Sequence, residues 1–187
     1  SITVNATSVL DLGSTAQFIA STNFDASDST AAVTAVFAAK TTASETAVTM
    51  KGGSGADKFD IGAFTTEENF GDLVVDMGDG DDTLDLGAVA DTDTGSSIKG
   101  GAGDDDILII SGAALTAEVG AQISEFEILN IETTGLVQDA DNFGGNVFGT
   151  GAPIAVMRID NLKNNATINI NHDVATPLTA NLKTDTA

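Results

Sequence analysis

The sequence predicts an all-β chain, folded as a right-handed parallel β-solenoid with coils of about 24 residues. Three observations lead there. Glycines recur in three separate registers that share one period. The residues beside them alternate apolar and polar, the pattern of a half-buried strand. Helical periodicity is weak along the whole chain. A repeat of 20 to 50 residues is the signature of a stacked architecture, in which no unit can bury its apolar face alone.

The first register is Gly55, Gly80 and Gly103, spaced 25 and 23 residues apart. Each is followed by an Asp and then by an apolar residue two further on: Asp57 and Phe59, Asp82 and Leu84, Asp105 and Ile107. The second is Gly62, Gly87 and Gly112, in DIGAF, DLGAV and ISGAA, each 25 apart. The third is Gly71, Gly95 and Gly120, 24 and 25 apart.

The strands follow the first register. KFDIG, TLDLG and DILII alternate with period 2, which places Phe59, Ile61, Leu84, Leu86, Ile107 and Ile109 inward. The same alternation points Lys58, Asp60, Thr83, Asp85 and Asp106 outward. Upstream, LDLGS at 10–14 matches LDLGA at 84–88, and AVTAVFAAK at 32–40 keeps the alternation without the glycines. Downstream, FEILNIE (126–132), APIAVMRID (152–160), ATINI (166–170) and PLTANL (177–182) read as further strands. The segment 111–129 offers a turn, or at most a short helix around Leu115, Val119 and Ile123, and 135–151 reads as a loop leaving the stack. Residues 1–135 are thus expected to form the solenoid, with 136–187 continuing it or capping it with β structure.

Composition narrows the function. The chain has 187 residues and 42% hydrophobic content, enough for a packed core. With 28 acidic residues against 7 basic, its formal net charge is −21, which opposes nucleic-acid binding and favours cations. There is no Cys, so thiolate metal sites, disulfides and Cys nucleophiles are excluded. No apolar run is long enough to span a bilayer as a helix, so no membrane insertion is expected. The start, SITVNATSV, lacks the basic and apolar regions of a cleaved signal peptide, and a chain beginning at Ser reads as processed or excised from something longer. His172 stands alone far from any repeat, and Glu67–Glu68 reads as a solvated pair on so acidic a chain. No catalytic constellation or small-molecule substrate site can be named, so an enzyme is not expected.

Three stretches resemble the calcium-binding nonapeptide G-G-x-G-x-D-x-U-x of RTX proteins, where U is large and apolar. Gly52–Asp60 and Gly100–Leu108 match at every position, and Met77–Asp85 matches except that Met77 replaces the first Gly. Glycines allow the positive-φ turns that aim carbonyls at one point, and Asp adds a carboxylate. Calcium is a hard cation that takes six to eight oxygens in flexible geometry. The resemblance implies a β-roll-like stack with one ion between adjacent turns, hence at least two Ca2+. The residues implied are Gly52, Gly53, Gly55 and Asp57 in the first turn; Gly78, Asp79, Gly80 and Asp82 in the second; and Gly100, Gly101, Gly103 and Asp105 in the third. Asp81 and Asp104 are candidates for extra ligands or solvated charge. An EF-hand is rejected, because a loop begun at Asp79 has Leu84 where Gly is required and Ala90 where Glu is required. The coils depart from a regular RTX roll in being longer than eighteen residues and in having calcium turns along one edge only.

ISEFEILNIETTG (123–135) and IDNLKNNATINI (159–170) are similar to strands of bacterial S-layer and surface-array proteins. The resemblance implies a secreted structural protein at the bacterial cell surface, exported by type I secretion without a cleaved N-terminal signal. It also implies calcium-dependent self-association into a sheet or filament. The alternative is a calcium-folded RTX module of a larger secreted adhesin or hydrolase.

Overall fold

The computed structural model describes residues 1–13, 23–37, 46–62, 71–88, 95–111, 119, 122–132, 156–162 and 179–184. Among these residues fourteen strands are laid down in two sheets, every paired strand parallel to its neighbour. They are β1 (Ile2–Thr3), β2 (Leu10–Asp11), β3 (Asn23–Asp25), β4 (Val33–Val36), β5 (Val48–Lys51), β6 (Lys58–Asp60) and β7 (Leu73–Asp76). The rest are β8 (Thr83–Gly87), β9 (Ser97–Lys99), β10 (Ile107–Ser111), β11 (Ile123–Ser124), β12 (Ile128–Glu132), β13 (Val156–Leu162) and β14 (Thr179–Thr184). Through β11 the odd strands form one sheet, in the order β1-β3-β5-β7-β9-β11. The even strands form the other, which β12, β13 and β14 complete in the order β2-β4-β6-β8-β10-β12-β13-β14. The chain is therefore a β-solenoid: one strand in each sheet per coil, a short turn between them, and a longer connection back.

Register gives the coil length directly. Ile2, Phe24, Met50, Val75, Ile98 and Ile123 are successive partners, 22, 26, 25, 23 and 25 residues apart. Parallel in-register pairing stacks like positions on like, so apolar side chains line up in rows along the inner face of each sheet. One such row in the first sheet is Phe24, Met50, Val75, Ile98 and Ile123; one in the second is Ala35, Phe59, Leu84, Leu108 and Leu129. Strands buried against each other in this way need β-branched and aliphatic side chains, which is what the repeat supplies. Near the N-terminal end Phe24, Phe37 and Phe59 meet edge to face, with centroids 5.1, 5.4 and 5.8 Å apart.

The predicted inward residues Phe59, Ile61, Leu84 and Leu86 are all buried. The third copy is different. Leu108 and Ile110 are the buried pair, while Ile107 and Ile109 lie half-exposed on the outer face and Asp106 is buried. The expected orientation of Ile107, Ile109 and Asp106 is therefore corrected. The cause is one extra residue in the third turn: Gly53 to Asp57 and Gly78 to Asp82 span four residues, Gly101 to Asp106 five. A slip of one residue exchanges the two faces of a strand.

Ile123 belongs to β11 and Val119 is buried, while Leu115 lies outside the described residues. FEILNIE contributes β12, APIAVMRID contributes β13 and PLTANL contributes to β14, so the second sheet extends past residue 136. ATINI, the loop at 135–151, Gly112, Gly120, Glu67, Glu68 and His172 lie outside the described residues.

Candidate metal centre: a ladder of buried aspartates

Along one edge of the solenoid the short turns stack: 26–32, 52–57, 77–82, 100–106 and 125–127. They are joined sideways by main-chain bonds. Ser54 N–H donates to the Ser29 carbonyl (2.9 Å), Asp79 N–H to Gly53 (2.9 Å), and Ala102 N–H to Gly78 (2.7 Å). The backbones approach so closely that a Cβ on Gly78 would strike the Gly53 carbonyl, and one on Gly101 the Gly78 carbonyl. Both glycines also have left-handed φ, 98° and 111°, which a side chain disfavours.

Inside the stack runs a row of carboxylates from Asp57, Asp82 and Asp106, at most 2% exposed. Each accepts from the turn before it. Val33 N–H donates to Asp57 Oδ1 (2.7 Å), Asp57 N–H to Asp82 Oδ1 (2.7 Å), and Asp82 N–H to Asp106 Oδ1 (2.8 Å). Glu127 ends the row: its Oε2 accepts from Asp106 N–H at 2.9 Å, the longer side chain reaching across from a shorter turn. At the other end the register sets apolar Val33 at the position of Asp57, and four residues earlier a hydroxyl bonds back to the first coil. Ser29 Oγ accepts from Ala6 N–H (2.9 Å) and donates to the Val4 carbonyl (3.3 Å).

The three aspartates differ in their second oxygen. Asp57 Oδ2 accepts from Gly53 N–H at 2.7 Å. Asp82 Oδ2 and Asp106 Oδ2 are buried without a hydrogen-bond partner. The glycines explain it: Gly78 and Gly101, at the position of Gly53, are turned into left-handed conformations that Gly53 does not adopt. Burial away from water pushes the Asp82 carboxyl up to about 8, with the charges of Asp57, Asp106 and Asp81 adding and the Asp57 N–H opposing. Burial likewise raises Asp106 to about 6, helped by Glu127, Asp81 and Asp105 and opposed by the Asp82 N–H. Asp57 is raised by burial, against the N–H groups of Gly53 and Val33.

Of the residues expected from the sequence, Asp57 and Asp82 lie in the ladder. Asp105 does not: it is exposed, and Asp106 occupies the equivalent position. Asp79, Asp81 and Asp104 are also exposed, flanking the turns, with Asp104 N–H donating to Asp81 Oδ1 at 3.3 Å. Met77, the exception to the motif, sends its side chain into the core. Asp106 was hidden by three consecutive aspartates before an apolar run. Only Ser111, polar and on the outer face, marks the parity of DILIIS. Ser29 and Glu127 belong to no copy of the motif.

Two buried carboxylate oxygens without donors fit a hard cation better than a soft one. Among the described residues no three Asp, Glu, His or Cys side chains converge on one point. A cation held here would need backbone carbonyls or water beside the carboxylates of adjacent turns. No family model, curated protein or solved structure matches this chain.

Proposed function

We propose that this chain is a calcium-dependent structural protein of a secreted cell-surface layer, S-layer-like, in which Ca2+ completes the stacked Gly/Asp turns. The observation that carries this reading is the pair of unpartnered oxygens, Asp82 Oδ2 and Asp106 Oδ2, in the turns that resemble RTX repeats. A buried carboxylate without donors is costly, and more so beside others of like charge. Calcium bound there supplies the opposing charge and takes up those oxygens. Asp82 and Asp106 hold it, Asp57 supports the row from the preceding turn, and the outer carboxylates Asp79, Asp81, Asp104 and Asp105 draw cations to the edge.

A net charge of −21 keeps such a chain open where calcium is scarce and lets it fold where calcium is plentiful. That suits a protein exported unfolded by type I secretion and assembled outside the cell. Extracellular modules have dissociation constants of about 10⁻⁴–10⁻³ M, far above cytosolic calcium. The outer edges of β1 and β2 have no neighbour among the described strands, and β14 ends the larger sheet. Open strand edges are templates for pairing with another copy. The reading assigns no catalytic role.

The test is microscopy and circular dichroism with calcium and after its complete removal by chelator. Sheets or filaments formed only with calcium support a surface layer. Monodisperse particles in both conditions, with strand structure lost in chelator, favour the module of a larger secreted adhesin or hydrolase. A fold and assembly state indifferent to chelator would sink both.

A further inference from the structure

The turn edge is not uniform, and the difference divides the molecule. At the N-terminal end every polar group of the ladder is satisfied by the protein itself. Apolar Val33 holds the ladder position one coil earlier, and Asp57 has both oxygens bonded, to Val33 N–H and Gly53 N–H. The three phenylalanines that meet edge to face, Phe24, Phe37 and Phe59, lie in the same coils. From Asp82 onward the arrangement reverses. Gly78 and Gly101 turn left-handed, the bond that Gly53 makes to Asp57 has no counterpart at Asp82 or Asp106, and an oxygen is left over on each.

We propose that the solenoid has a cation-independent base, strands β1–β6, on which a cation-dependent part, strands β7–β12, is built. This rests on the calcium reading above. It adds that calcium does not switch the whole chain: the Gly53–Asp57 turn is a preformed template, and the Asp82 and Asp106 turns close on it only when the cation is present. Growth of the stack then has a direction, away from the phenylalanine cluster. Solenoid coils contact only their neighbours, so one part can open while the next stays closed.

Hydrogen exchange of the full chain, in chelator and in calcium, tests this. In chelator, amides of 24–37 and 48–61 should stay protected while those of 83–87 and 107–111 exchange faster by on the order of tenfold or more. Calcium should restore the slow rate. Titration calorimetry on the same sample reads calcium uptake separately. No uptake sinks the calcium reading itself; uptake with equal loss of protection in both parts sinks only the division. The double variant Asp82→Asn, Asp106→Asn keeps each Oδ1 acceptor and removes the charge. It should hold 83–87 and 107–111 protected in chelator, and if it leaves them as open as in the parent, the leftover oxygens are not the reason for the division.

Discussion

The main-chain N–H of Asp57 donates to Oδ1 of Asp82, 25 residues later, at 2.7 Å. One coil's backbone is thus bonded to the next coil's carboxylate, and the carboxylate sits where water cannot reach it. The bond fixes the stacking distance at the turn edge as the strand ladders fix it along the sheets. It uses only one of the two oxygens, and the consequences of that differ from one aspartate to the next.

Conservative amides should separate Asp57 from Asp82. Asp57→Asn sets an NH2 group against an N–H donor, from Val33 or Gly53, because both oxygens already accept. Leaving buried donors unmatched costs about 1–3 kcal/mol, so the urea midpoint should fall in calcium and in chelator alike. Asp82→Asn keeps Oδ1 as acceptor and replaces an oxygen that has no donor. Its midpoint should rise in chelator, and its gain on adding calcium should shrink. Calcium at 100 times its dissociation constant stabilises the parent by about 2.7 kcal/mol per independent site, which sets the scale of the loss. Equal behaviour of the two variants would refute the distinction.

The metal-free protein should lose stability as pH rises. The folded pKa of Asp82 is pushed up to about 8 and that of Asp106 to about 6, against 3.8 for the free side chain. Between those values the folded state holds more protons than the unfolded one, so unfolding free energy falls with pH. The stabilisation is full below the unfolded pKa and is gone above about 8. Urea midpoints in chelator should drop across this range. General repulsion among the 28 acids acts in the same direction. The double variant Asp82→Asn, Asp106→Asn isolates the ladder, since its profile should be distinctly flatter than the parent's.

The register of the third copy gives a core test. Leu108→Ala removes a buried side chain and should cost about 2–5 kcal/mol, whereas Ile109→Ala, on the outer face, should cost distinctly less. Reversed magnitudes would restore the expectation that Ile107 and Ile109 face inward. The same strand shows what sequence can and cannot tell. KFDIG and TLDLG put a charged or hydroxyl residue at every second place, so their faces were legible, as were the coil period and the all-β class. DILII offers apolar residues on both faces, and one extra residue in its turn was enough to misplace Asp106 and select Asp105. The second oxygen of each Asp was illegible for another reason: it depends on whether the second glycine of each motif copy, Gly53, Gly78 or Gly101, adopts positive φ, which the residue type permits but does not dictate.

Glycine substitutions should divide by environment. Gly101→Ala places a Cβ against the Gly78 carbonyl at φ 111°, a backbone region costing about 1–3 kcal/mol for other residues before any clash is counted. Gly62→Ala meets its nearest atoms, Asp60 Oδ1 and Gly87 Cα, only at 3.4 Å and needs no left-handed backbone. Thermal melts should show a large loss for the first and a small change for the second. A tolerated Gly101→Ala would mean that the turns can spread apart.

Beside the turns, the outer end of the first sheet carries charges that alternate from coil to coil. Asp25 pairs in register with Lys51, Lys51 with Asp76, and Asp76 with Lys99, whose Nζ reaches Glu125 Oε1 at 3.7 Å. Two of the seven basic residues are spent here, at the places where parallel stacking would otherwise set acid beside acid. A shift of one coil would pair like with like, so the row favours the correct stacking over its neighbours. Lys51→Glu should put three acids in succession and destabilise by about 0.2–1 kcal/mol, the range for cross-strand charge pairs. The loss should diminish in about 1 M salt, where the screening length falls to about 3 Å, while Lys51→Met should show little dependence on salt. A Lys51→Glu deficit that salt leaves unchanged would assign the effect to the packing of the lysine stem rather than to its charge.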